Sequence, residues 1–168
     1  MLTEIKELSD HMFWADGIVW NAVMVLPEKE NHKKLKVLLH HIHAVQHAYL
    51  NIWFNQPIKY RAMTEFHNLN EIAEWGLDFH KKYEIFINKL NEEKLKEIIK
   101  IPWSKHLDAK LGKPAGPSSL TQQILQVVLH STYHRAQVNK TIREIGVEPP
   151  LTDFIFWIWT GKPEGKWK

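Results

Sequence analysis

Two histidines, His130 and His134, stand four residues apart in the run His130-Ser131-Thr132-Tyr133-His134-Arg135-Ala136-Gln137. A helical turn takes about 3.6 residues, so on a helix both imidazoles leave the same side and can close on one ion. The chain holds 11 histidines and no cysteine in 168 residues, which offers nitrogen ligands and no thiolates. This points to a metal site on a helical scaffold. Two ligands do not complete one, because a stable protein site ordinarily takes a third.

Candidates for the third ligand cluster in the second helical segment, as His40, His41, His43 and His47. The apolar stripe there reads Leu38, Ile42, Val45, Tyr49 and Ile52. At about 100° per residue, His41 falls about 60° from that stripe and His43 about 140°, with His40 and His47 near the opposite face. His41 is therefore the residue directed into a cleft beside the core, and His40 and His47 are expected in solvent. His43 and His47 form an i, i+4 pair of their own and remain an alternative. His130 and His134 fall together on one edge of the stripe Ile124, Val127, Val128, Ser131, Arg135, Val138 and Ile142.

His41, His130 and His134 would make a three-nitrogen face with positions left for water or substrate. Such a face suits Zn²⁺, Ni²⁺ or a similar ion. His11, ahead of Met12-Phe13-Trp14, is a candidate for the cleft wall. His32, His67 and His106 read as solvated loop or helix-end residues, and His80 as lying on the outer side of the third helix. Tyr133 and Arg135 flank the ligands. Arg135 offers a clamp for a substrate carboxylate, or else a salt bridge inside the bundle.

The elements that must position these residues follow from periodicity. A first helix over about 2–26 carries Leu8, Phe13, Trp14, Ile18, Ala22 and Val25 and stops at Leu26-Pro27. A second spans about 32–55 and closes at Gln56-Pro57. Residues 57–69 read as a loop. A third helix, about 70–91 with Asn70 as its cap, turns Ile72, Trp75, Phe79, Tyr83 and Phe86 inward. Residues 92–117 are irregular, with a short extended piece over 98–103, and Gly112-Lys113-Pro114-Ala115-Gly116-Pro117 cannot be helix interior. Ser118 or Ser119 caps a fourth helix that Gly146 stops near Ile145. A last short helix covers Asp153 to Trp159. The expectation is an all-α, antiparallel four-helix bundle with a short additional C-terminal helix, as one domain over 1–168.

Composition narrows the function classes. Lacking cysteine, the chain has no disulfide framework and no thiol nucleophile, and a cytoplasmic location is the expectation. The start, Met1-Leu2-Thr3-Glu4-Ile5-Lys6-Glu7-Leu8, does not read as a signal peptide. No apolar run approaches the ~18 residues of a membrane span. Net charge is +3, but the lysines are dispersed among glutamates and apolar positions. That argues against a nucleic-acid surface, which would show a basic stripe.

The run His130 to Gln137, followed by Gly146, Pro149-Pro150 and Asp153-Phe154-Ile155, resembles the C-terminal signature of the DinB-like, damage-inducible proteins. Leu39-His40-His41-Ile42 with Tyr49-Leu50 resembles the family's other signature, and Phe13-Trp14-Ala15 matches its first helix. Ala136 stands where the family usually has glycine, and His11 where a tyrosine is common. The resemblance implies a four-helix bundle, often a homodimer, with a divalent metal held by His41, His130 and His134. It also implies a small-molecule substrate, with relatives that are transferases or isomerases using low-molecular-weight thiols and others described as metal-dependent hydrolases. With no cysteine in the chain, such a thiol would be a cosubstrate. The alternative is a non-enzymatic dimerisation or stress-response module with a structural metal.

Overall fold

The computed structural model describes residues 1–167. Four long helices form the body: α1 Leu2–Met24, α2 Lys33–Trp53, α3 Leu69–Asn88 and, after two short helices, α6 Leu120–Glu144. The short pieces are α4 Glu92–Lys96 and α5 Asp108–Leu111, with α7 Phe154–Trp159 near the C-terminus. The expected all-α bundle with its extra C-terminal helix is what the chain builds, but the expected antiparallel arrangement does not hold throughout, because α2 and α3 run in the same direction.

Helix ends follow local chemistry. Ser119 begins α6 with a reciprocal capping box, accepting from the Gln122 backbone while Gln122 reaches back to the Ser119 N–H. Gly146, at φ 89°, ends the same helix in the left-handed region. For α3 the cap is Asn68 and not Asn70: Asn68 accepts from the Glu71 N–H, and Glu71 returns a bond to His67 N. Only the earlier asparagine has a glutamate three residues on. The expected extended piece over 98–103 reduces to one antiparallel bridge between Ile98 and Ser119, and Pro102–Leu107 winds into a 3-10 helix.

Chain directions are mixed. Trp53 bonds Gln123, Gln46 bonds Ser131 and Lys34 bonds Glu144, so α2 and α6 run antiparallel. Ser9 meets Tyr83 and Asp16 meets His80, which makes α1 and α3 antiparallel too. By contrast α2 and α3 run side by side in the same direction, with His47 at Trp75 and Trp53 at Phe86. Residues 54–68 make this possible. Fifteen extended residues reach about 50 Å, beyond the roughly 30 Å length of a twenty-residue helix.

The core has two apolar clusters with a polar layer between them. One gathers Met12, Tyr49, Phe79, Ile124 and Val127, the other Val19, Leu35, Ile72, Val138 and Ile142. Between them lie Asp16, His43, Gln46, His80, Ser131 and Arg135, all buried. This layer corrects the stripes drawn for the first two helices. The inward face of α2 carries Leu35, Leu39, Ile42, His43, Gln46, Tyr49, Leu50 and Trp53, and that of α1 carries Ile5, Ser9, Met12, Asp16, Val19 and Val23. An apolar pattern discards the polar members and so rotates the apparent face. Val25, expected inside, is 81% exposed. The inward residues expected for α3 and α6 are all buried.

Candidate metal centre

His41 from α2 meets His130 and His134 from α6, and each offers a ligand nitrogen within 4.8 Å of the other two. Ring centroids lie 4.4 to 5.0 Å apart. Modest side-chain rotation would close such a group on one ion with metal–nitrogen bonds of about 2.0–2.1 Å. His41 is exposed, while His130 and His134 are half-buried. The α2–α6 groove therefore opens to solvent on the His41 side.

Two observations test whether these residues fit a metal. The His130 Nδ1 is buried with no hydrogen-bond partner. A buried polar atom left unpaired is costly, and a cation at this nitrogen would satisfy it. His134 donates from Nδ1 to the Gln137 side-chain oxygen at 2.9 Å, which leaves the Nε2 lone pair free. Ligating histidines are ordinarily held this way by an outer partner that fixes tautomer and ring orientation. Protonation agrees. Burial, then His134 and His41, pulls His130 down to about 4, and His41 is lowered by burial, then by His134 and His40. Both rings are neutral near pH 7. The residues fit an ion such as Zn²⁺ or Ni²⁺. No aspartate or glutamate joins the group among the described residues, so three nitrogens leave coordination positions open.

The other histidines have separate roles. His43, the alternative on α2, is 1% exposed and committed at both nitrogens: it accepts from Trp20 Nε1 at 2.8 Å and donates from Nδ1 to Gln46. His47 is buried, not solvated. Its ring stacks on Trp75 with centroids 4.5 Å apart, and Nε2 donates to the Trp75 carbonyl. His40 is likewise buried and bonds the Arg61 carbonyl. Neither His43 nor His47 reaches His130 and His134. His11 bonds the Thr152 carbonyl among Trp14, Phe154 and Trp157, away from the triad.

Arg135 faces inward as an ion-pair partner of Asp16 at 2.7 Å, both side chains 2% exposed, so it is not available to a substrate. His80, expected on the outside, is buried with Nε2 2.9 Å from the second Asp16 oxygen. Gln46 also donates to Asp16, at 2.8 Å, and to Ser131. Burial alone would raise Asp16, but Arg135 and then His80 hold it well below the usual carboxylate range. Asp16 and Gln46 were missed by sequence reasoning. Their signal is a polar residue in phase with an apolar face, as Asp16 is with Met12 and Val19.

Taken together, fold and site define a helical bundle that presents three histidines from two facing helices in an open groove. The chain belongs to the DinB family, whose model matches residues 1–165. It is similar to Protein DinB of Bacillus subtilis (strain 168), at 20% identity over 173 residues covering 94% of this chain and 95% of that one. The resemblance carried by the His130–Gln137 run thus extends over the chain.

Proposed function

We propose that His41, His130 and His134 hold a divalent metal and that the protein is a metal-dependent transferase with a low-molecular-weight thiol as cosubstrate, or a hydrolase if water takes the thiol's place. The observation that carries this reading is the unpaired, buried His130 Nδ1 beside two further imidazoles in a solvent-open groove. A structural site is ordinarily closed by four protein ligands, whereas three leave room for chemistry. When bound, the ion supplies Lewis acidity that lowers the pKa of a thiol or water at an open position.

The chain's own residues supply the rest. Gln137 holds the His134 ring so that its free nitrogen faces the group. His41 keeps one side accessible, while Leu129 and Tyr133, both exposed on α6, give a substrate apolar contacts beside the ligands. The Tyr133 ring stands edge-on to His134 at 5.0 Å.

Metal analysis of the purified protein beside His41→Ala, His130→Ala, His134→Ala and His47→Ala tests the site. The three triad variants should lose the ion and His47→Ala should keep it. The reverse for His41 and His47 would overturn the assignment. A screen of thiols with electrophilic acceptors, and of hydrolysable esters and amides, then tests the chemistry. No turnover with any of them would leave the structural-metal module as the reading.

A further inference from the structure

Charge is spread unevenly over the four long helices. α2 has no charged residue after Lys36, and α6 has none from Leu120 to Asn139 except Arg135, which is buried against Asp16. By contrast α3 exposes Glu74, Lys81, Lys82 and Glu84. A solvated helix face ordinarily carries such charges. The face shared by α2 and α6, where the histidine triad opens, lacks them.

What this face carries instead is apolar. Leu38, Val45 and Ile52 repeat every seven residues on α2 and so form one row, with His41 within about 60° of each around the helix. Because the polar layer takes the inward face of α2, these three are left half-buried at its edge. Across the groove the exposed Tyr133 ring stands edge-on to His134. Both ends of the groove are bounded. At one, Lys34 and Glu144 bridge the two helices at 2.9 Å and neutralise each other. At the other, Gln123 bonds both Trp53 and the Ile99 carbonyl, which brings the 99–103 segment to the helix pair, with Trp103 edge-on to Tyr49 at 5.1 Å. From His41 to Ile52 the row runs about 16 Å along the helix axis.

We propose that the α2–α6 groove holds the body of the substrate, and that this body is uncharged and apolar. The inference rests on the metal reading, which puts the substrate's reacting group at His41, His130 and His134. From there the body extends along Val45 and Ile52 toward Trp103, away from the Lys34–Glu144 pair. Apolar atoms laid on this row leave water together with it, which is favourable in proportion to the area covered. A carboxylate or ammonium in the same place would lose hydration and find no counter-charge.

Thiols are suitable probes, because sulfur anchors at the ion and the rest of the molecule must then take the groove. The full-length protein, loaded with cobalt, is titrated with each thiol and read by its thiolate-to-cobalt absorption band. 4-Methylbenzyl mercaptan should bind about tenfold more tightly than 4-(mercaptomethyl)benzoate, which places a charge at the far end of the same ring, and than 2-mercaptoethanol, which has no apolar body. Val45→Lys puts a cation one turn from His41 and should reverse the order of the two aromatic thiols by tightening the benzoate, a gain that a poorly folded variant could not show. Equal affinity for the methyl and carboxylate thiols, or an unchanged order in Val45→Lys, would overturn the proposal and leave the metal reading standing. So would an affinity for the methyl thiol that falls as protein concentration rises, since a second copy would then be covering the groove. A protein that takes up neither cobalt nor zinc would overturn the metal reading itself, and this proposal with it.

Discussion

His134 donates its Nδ1 proton to the side-chain oxygen of Gln137 at 2.9 Å, three residues further along α6. This bond decides which nitrogen of His134 turns toward His41 and His130. Without it the ring can take the other tautomer and rotate. Gln137→Ala should therefore weaken metal binding about 10–100-fold, the usual cost of losing an outer partner, with little change in melting temperature. Gln137→Glu keeps an acceptor and should retain the affinity. Competition titration with a chromophoric chelator reads both, and wild-type affinity in Gln137→Ala would remove the positioning role.

Asp16 and Arg135 tie α1 to α6 one residue from His134, a member of the histidine triad. Replacing Asp16 by Asn leaves the Arg135 charge buried and uncompensated, which costs about 3–5 kcal/mol. Urea unfolding of Asp16→Asn should show a loss of that order. The sign of the pH effect follows from the depressed carboxyl: the contribution is present above the unfolded value, about 3.9, and fades as pH falls below it. Wild type should lose stability steeply below about pH 4, and Asp16→Asn less steeply. A parallel pair of acid-unfolding curves would contradict this.

The residues that made the triad legible and those that hid the polar layer differ in kind. His130 and His134 announce themselves because both lie within one turn of one helix, so their proximity is local. His41 could be placed because its angle to the stripe survives a modest error in the stripe's centre. His43, His47 and His80 could not, since their burial depends on partners distant in sequence: Trp20, the Trp75 carbonyl and Asp16. A polar residue is ordinarily read as solvated, and here a satisfied hydrogen-bond chain overrides that preference. The parallel course of α2 and α3 was hidden for a similar reason, because connection length permits a crossover without requiring one.

Gly76 lets α3 pass close under that chain. A Cβ there would lie 2.4 Å from His43 Cε1 and Nε2, and the ring is bonded to Trp20 on one side and Gln46 on the other, so it has nowhere to go. Gly76→Ala should destabilise by about 1–3 kcal/mol despite alanine's better helix propensity. Gly17 is the control. Its added Cβ would meet the Trp167 ring at 2.7 Å, near the chain end, where the neighbour can shift. Thermal unfolding of the two variants should separate them clearly, and equal melting temperatures would count against a rigid His43.

His47 gives the sharpest pH prediction. Burial outweighs its bond to the Trp75 carbonyl and pulls the imidazole from 6.5 down to about 4. A native state that keeps the ring neutral binds fewer protons than the unfolded chain wherever pH lies between those values. Stability is then full above about pH 6.5, falls as pH drops toward 4, and flattens below it. For one buried ring this amounts to a loss on the order of 3 kcal/mol at the acid end. His47→Gln retains a donor for the Trp75 carbonyl and does not titrate. Its stability should decline less between pH 6.5 and 4 than that of wild type, whatever its value at neutral pH. Chemical unfolding at half-unit pH steps measures both slopes, and identical slopes would mean that the His47 ring is protonated in the folded protein.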